Sequence, residues 1–372
     1  MSPGQPTARI DLGALAHNYS EVKRLVGERV TVLAMVKADA YGHGADAAAR
    51  RLAAEGCAVF GVATLAEARS LREALPDGRI VVFGGLTPAD AADAVAAGAE
   101  VVVSDPEVVE AISAVADASG VEVAIHVKVD TGMRRLGVEV AGAAELVARV
   151  RAARGVRPVA LCSHFALAES VTTEVTEGQL ELLKQAADAV AAGGQRLPCH
   201  LANSAGIMTR QASHLDMVRP GLMLYGLYPD SGLTGHADLK PVMTLESGVV
   251  RVAEVGPGEG IGYGHTFRTD RVTRVATVRC GYADGYPRAL SNRGQVLIGG
   301  RQAPVAGRIC MDHLMVDVTD VHEDGVVVET GTRVVLWGRG LDAGEVAEHA
   351  GTISYELVAR VGKRVERVFE EV

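Results

Sequence analysis

Much that would narrow the function of this 372-residue chain is missing from it. Its five cysteines (Cys57, Cys162, Cys199, Cys280 and Cys310) form an odd, scattered set without a C-x-x-C pair. That speaks against a disulfide framework or a cysteine-held zinc, and makes a reducing cytoplasm the expected compartment. His-x-x-x-His spacing is absent as well, so no metal is expected. No apolar run approaches the ~20 residues that span a bilayer. Nothing between Met1 and Asp11 joins a basic patch to an apolar stretch, so no secretory leader is expected. Long basic runs are lacking and the formal net charge is -9, which argues against nucleic acid or an anionic membrane as the main partner.

What remains is a chain that is 48% hydrophobic and 22% charged, the balance of a soluble globular protein with room for one large domain or two. Leu12, Leu15, Tyr19, Val22 and Leu25 recur at helical spacing over 11–27. Short apolar runs follow at 31–37, 57–63, 79–84, 99–104, 121–129, 158–164, 198–202 and 217–220. Segments rich in Ala, Glu and Arg separate them, at 44–56, 65–75, 88–98, 106–119 and 173–193. Pro88 and Pro106 stand where a first helical turn accepts proline. Continuous apolar strands alternating with helices imply a parallel sheet covered on both faces. Eight such units fit a closed (β/α)8 barrel, with an open doubly wound sheet as the alternative. After Tyr225 the pattern turns to β alternation with glycine turns, at 249–255, 271–279, 295–298, 313–318 and 332–336, and ends in helices at 343–350 and 354–362. The expected division is a barrel over 1–235 and a mostly β domain over 236–372, with the stretch before Asp11 packing on the latter.

Lys37 is the residue that needs explaining, because it ends the first apolar run. A lone lysine there commonly packs its stem and keeps its ammonium in water. A desolvated amine is also the nucleophile that Schiff-base chemistry requires. Other unusual residues gather at the strand ends of the expected barrel, where such folds collect reactive groups. They are Lys128 and Arg135 after strand five, His164 after six, Asn203 and Ser204 after seven, and Arg219 with Gly221 after eight. Each alone reads as an ordinary polar residue, and Ser204 as a helix cap. Together they converge on one mouth. Ser204 and Gly221 lie where barrels bind phosphate at helix N-termini, and with Lys37 they point to pyridoxal 5'-phosphate.

The stretch M-V-K-A-D-A-Y-G-H-G at 35–44 resembles the cofactor-attachment signature of bacterial alanine racemases. The resemblance continues in order through D-T-G-M-R-R-L-G at 130–137, S-H-F at 163–165, A-N-S-A at 202–205 and V-R-P-G at 218–221. It extends to G-Y-G at 262–264, G-R-I-C-M-D at 307–312 and S-Y-E-L at 354–357. It implies a pyridoxal-phosphate barrel with a β domain, a homodimer whose active sites are shared between subunits, and interconversion of L- and D-alanine for peptidoglycan.

On that resemblance Lys37 holds the cofactor as a Schiff base and serves as one base, with Tyr263 as the second on the opposite face. The glycine-rich loop around Tyr263 lacks the following helix of a nucleotide-binding turn. A tyrosine, which ordinarily titrates near ~10, needs nearby positive charge to act as a base. His164 is implied to bond Tyr263, and Arg219 to link His164 to the pyridine nitrogen, where an arginine weakens the electron sink and restrains transamination. Arg135 would bond the cofactor phenolic oxygen and the substrate carboxylate, which also meets the backbone at Met311 of the other subunit. Lys128 would be an N6-carboxylysine orienting Arg135. Tyr41, Ser204, Gly221, Leu222 and Tyr355 would hold the phosphate, with Asn203 beside the cofactor and Tyr282 and Asp312 in support. Arg134 departs from the usual small or neutral residue at its position, while Leu136 and Gly137 fix the register on Arg135. A racemase of broader specificity, acting on serine or basic amino acids, is the alternative. A decarboxylase is disfavoured by Arg219 and the paired bases, and a non-catalytic cofactor carrier by the β domain and Tyr263.

Overall fold

In the computed structural model, which describes residues 4–170, 174–194 and 196–371, the apolar runs close on themselves. The barrel strands are Thr31–Met35, Val59–Val62, Arg79–Val82, Glu100–Val103, Val123–Asp130, Val156–Cys162, Cys199–His200 and Met217–Val218. Each pairs in parallel with the next, and the last pairs back onto the first through Met217 opposite Thr31. That final pairing excludes the open sheet. Val81, Val101 and Ile125 are wholly buried, as expected of strands covered on both faces.

The intervening helices carry legible caps. Thr64 accepts the Glu67 amide at 3.1 Å while Glu67 accepts the Thr64 amide at 3.2 Å, a reciprocal cap at the start of Leu65–Ala74. Asp105 caps Pro106–Ser119, which ends on left-handed Gly120 at φ 67°. Such caps contribute about 1 kcal/mol each. The helix read over 173–193 is described from Glu174 to Ala192, and Thr173 lies outside the described residues.

Three features differ from the sequence reading. The first barrel strand stops at Met35, so Lys37 stands beyond its end and not on it. The first helix runs Leu12–Val26, with Asp11 capping it. Ahead of it lies a strand the reading lacked, Thr7–Asp11, paired antiparallel with Met243–Val255 and parallel with Glu366–Glu370. Thr7–Asp11 therefore sits inside the eight-stranded sheet of the C-terminal half. That sheet also contains Thr273–Val278, Gln295–Ile298, Arg301–Pro304, Leu314–Asp317 and Arg333–Trp337. Its centre is filled by Trp337 stacked on Tyr286 at 6.2 Å between ring centroids. Among the described residues no helix is long and apolar enough to cross a membrane.

Candidate active site

Directly after Lys37 the backbone makes a left-handed turn, with φ of 52°, 55°, 53° and 55° at Ala38, Asp39, Ala40 and Tyr41. Left-handed backbone costs an L-residue about 1–2 kcal/mol, and none of these four is glycine. The surroundings hold the turn in place. Glu67 accepts the Ala38 amide at 2.8 Å, and Asp39 accepts the Ala45 amide at 2.7 Å. His43, fully buried, places Nδ1 2.9 Å from both the Ala40 and the Tyr41 carbonyl oxygens. Two carbonyl acceptors fix the proton on Nδ1. Strain that persists under so many fastenings marks a place where side-chain direction matters. Here it brings the Lys37 amine to 6.0 Å from the Tyr41 ring centroid, facing one cavity.

That cavity, about 510 Å³, opens at the carboxyl ends of the barrel strands. Lys37, Tyr41, Lys128, Arg135 and His164 line it, together with Asn203, Ser204, Arg219, Gly221, Leu222 and Tyr355. With Phe83 and Val103 also lining it, residues from seven of the eight strand ends meet here, and Tyr355 arrives from the C-terminal half. Arg134 takes φ 58°, its amide bonds Asp130 at 3.1 Å, and its side chain does not line the cavity, whereas Arg135 does.

The cavity is cationic. Burial, then the charges of Arg135 and Arg219, lower the Lys37 amine from its ordinary value. Burial also draws Lys128 down to about 8. Arg219 is buried, with Nη2 donating to the Ser163 carbonyl at 2.7 Å and the Leu201 carbonyl at 3.1 Å. The same nitrogen donates to His164 Nδ1 at 3.1 Å. Arginine has no acceptor to offer, so His164 must accept at Nδ1 and carry its proton on Nε2. Burial, then Arg219, holds His164 well below the usual histidine range, hence neutral.

At the other end of the cavity the residues fit a phosphate. Ser204 is not the cap of helix Ser204–Thr209; Asn203 is, accepting the Gly206 amide at 3.0 Å. The Ser204 hydroxyl instead accepts the amides of Gly221 at 3.0 Å and Met223 at 3.3 Å, leaving its own hydrogen to donate. A Cβ on Gly221 would lie 2.3 Å from the Tyr41 hydroxyl, so only glycine leaves this cradle open. Tyr41 and Tyr355 flank it with ring centroids 6.2 Å apart. A phosphorylated pyridine aldehyde fits this arrangement, with Lys37 within the same cavity.

Four expected residues lie elsewhere. Tyr263 is 70% exposed and lines a separate cavity of about 480 Å³ in the C-terminal sheet, with Cys310 and Met315. Tyr282 and Met311 are exposed, and Asp312 pairs with Arg364 at 2.8 Å. The Tyr282 amide bonds the Cys310 carbonyl at 3.1 Å, and a Cβ on Gly281 would strike the Met311 carbonyl at 2.3 Å. The 281–282 and 310–312 segments thus pack on each other, and none of the four residues lines the Lys37 cavity. Glu67, His43 and Tyr225 were missed in the sequence reading. The capping pattern at Thr64 and Glu67 was the one available signal.

The N-terminal domain model of alanine racemases matches residues 10–229, and the C-terminal domain model matches residues 242–369. The chain is 42% identical to the alanine racemase of Desulfovibrio desulfuricans over 366 residues, covering 98% of each chain. The biosynthetic alanine racemase of Pseudomonas aeruginosa superposes with a TM-score of 0.90 at 39% identity, covering 100% of both chains. That of Bartonella henselae, solved with covalently bound pyridoxal phosphate, superposes with a TM-score of 0.90 at 29% identity over 99% of this chain and 100% of that one. With a lysine-bearing barrel mouth, a phosphate cradle and a C-terminal β sheet all in place, the chain belongs to the alanine racemase family.

Proposed function

We propose that this chain binds pyridoxal 5'-phosphate through Lys37 and interconverts L- and D-alanine, with Tyr263 of a second copy as the opposing base. The observation that carries the reading is the pairing, in one cavity, of the desolvated Lys37 amine with the Ser204–Gly221 cradle. Bound pyridoxal phosphate supplies a conjugated ring that spreads the electron pair left when an amino acid loses its Cα proton. The side chains do the rest.

Lys37 stands on one face, its amine biased toward the neutral form that accepts a proton. Inversion needs a second group on the other face, and among the residues lining the cavity none has been assigned that part. His164 presents Nε2–H, which would donate to a phenol oxygen arriving there and favour its ionised form. Tyr263, exposed at the surface, suits delivery into a second copy's cavity, and Met311 stands exposed on the same half of the chain. Arg219 offers a ring nitrogen only donors, so it would leave that nitrogen unprotonated. Arg135 is placed to bond a substrate carboxylate. Lys128 and Arg135 are like charges in one cavity, and a carbamate on Lys128 would turn that repulsion into a pairing.

Purified enzyme given L-alanine should produce D-alanine on a chiral column. Tyr263→Phe should keep the cofactor absorbance and lose roughly 10²–10⁴ in turnover. Co-expressing Lys37→Ala with Tyr263→Phe tests sharing: mixed dimers hold one intact site and regain activity. A mixture as inactive as its parents would end the shared-site reading.

A further inference from the structure

A file of polar side chains runs through the middle of the barrel, and beyond Arg219 its members have no part in the reaction described above. Arg219 Nη1 donates to His200 Nδ1 at 2.7 Å. His200 Nε2 lies 2.9 Å from His126 Nδ1, and His126 Nε2 lies 2.8 Å from Glu100 Oε2. Arg79 grips the same carboxylate at 2.7 and 3.1 Å. Glu100 and Arg79 begin their strands, whereas Arg219 follows the end of its own, so the file joins the two ends of the barrel. Both histidines are 0% exposed. A register shift between Ile125 and His126 breaks the strand's regular pairing at this point, the kind of bulge that re-aims a side chain.

The direction of every bond is forced. Arginine can only donate and a carboxylate can only accept. His200 must therefore accept at Nδ1 and carry its proton on Nε2, and His126 must do the same. The file reads Arg219 to His200 to His126 to Glu100 with no freedom to reverse. Such a chain strengthens each of its bonds by polarising its neighbours.

Arg219 also needs compensation. Among the described residues no carboxylate contacts its guanidinium; its other partners are two carbonyls and His164. A buried cation without an anion is strongly disfavoured. Burial would raise the Glu100 carboxyl, but bonds from His126 and Arg79 outweigh it and hold it at about 2, so it remains an anion.

We propose that Glu100 is a positioning residue for the reaction, the remote counter-charge that, through His126 and His200, fixes the plane of the Arg219 guanidinium. Fixing Nη1 on His200 also fixes Nη2, and with it the His164 proton on Nε2. The proposal rests on the reading that Arg219 faces the bound cofactor ring. The competing role is that Glu100 only satisfies the buried His126.

The first measurement needs no variant. Nitrogen-15 NMR of the full-length, cofactor-loaded enzyme labelled in histidine should show the His126 and His200 rings each carrying a proton on Nε2 and accepting at Nδ1. Nδ1–H on either ring would overturn the file. Next, Glu100→Gln keeps an acceptor but removes the charge. It should lower kcat roughly tenfold, in the range usual for supporting-shell losses, with KM for alanine changed less than about twofold. Glu100→Asp should restore most of the loss. A Gln variant with lowered melting temperature but wild-type kcat, or an Asp variant no better than Gln, would leave only the structural role and sink the proposal. If Glu100→Gln does not fold, Arg79→Gln, at a side chain 51% exposed, weakens the same carboxylate and should shift kcat in the same direction; an unchanged kcat there would overturn the proposal. Wild-type enzyme that fails to racemise alanine while showing the assigned histidine protons would refute the function and not the file.

Discussion

Tyr225 donates its hydroxyl proton to the Met35 carbonyl at 2.8 Å, tying the exit of the last barrel strand to the end of the first. Its ring is fully buried, stacked on His43 at 4.5 Å and leaning on Tyr41 at 5.0 Å. One side chain thus braces the Lys37 turn from below. Tyr225→Phe keeps the stack and deletes the bond, and should destabilise the fold by about 1–3 kcal/mol in urea unfolding. Cofactor release on dialysis should quicken with it.

His43 makes the same turn sensitive to acid. Burial lowers its imidazole from 6.5 to about 4, since protonation would place a charge in a closed apolar site. Above pH 6.5 neither folded nor unfolded chain protonates it, and its contribution is complete. As pH falls from there toward about 4, the unfolded chain takes a proton that the folded chain refuses, so stability is lost. The loss should amount to about 3 kcal/mol. Urea midpoints measured across this window should fall steeply for wild type and less steeply for His43→Phe.

Gly221→Ala tests the phosphate cradle. The added methyl would meet the Tyr41 hydroxyl and must displace it, since the neighbouring backbone is fixed by Ser204. Pyridoxal-phosphate affinity should fall by at least about tenfold, the equivalent of roughly 1.4 kcal/mol. Titration of apoenzyme by absorbance would show it. Unchanged affinity would move the phosphate elsewhere in the cavity.

Lys128, drawn down to about 8, keeps a useful fraction of neutral amine near pH 7, which is what addition to carbon dioxide requires. Enzyme equilibrated with ¹³C-bicarbonate should show a carbamate carbon resonance that Lys128→Ala lacks. An enzyme crystal with a bare ammonium at Lys128 would remove the assignment.

The barrel was legible because its strands are mostly apolar runs and several of the helices after them carry caps, as at Thr64, Asp105 and Asn203, and both signals are local. The stretch before Asp11 was read only as packing on the C-terminal half; its strand pairing was not legible, since its neighbours, at 243–246 and 366–370, lie far along the chain. The left-handed turn was also invisible. Ala38, Asp39, Ala40 and Tyr41 have no local reason to adopt it, and only Glu67, His43 and their neighbours hold it there. In the site, Lys37, Ser204 and Arg219 could be read from motifs, because their spacing follows the strands. Glu100 and His200 could not. Each is an ordinary polar residue in its own segment, and only closure of the barrel brings it into register with Arg219.

The placement of Thr7–Asp11 has a consequence for how the molecule is made. This strand is synthesised well before its parallel partner Glu366–Glu370. At about 5–20 residues per second, it waits roughly 20–70 s with an edge unpaired, exposed to chaperones and to other nascent chains. Until residues 366–370 have been made, Thr7–Asp11 can pair only with Met243–Val255, so the sheet is completed late in synthesis.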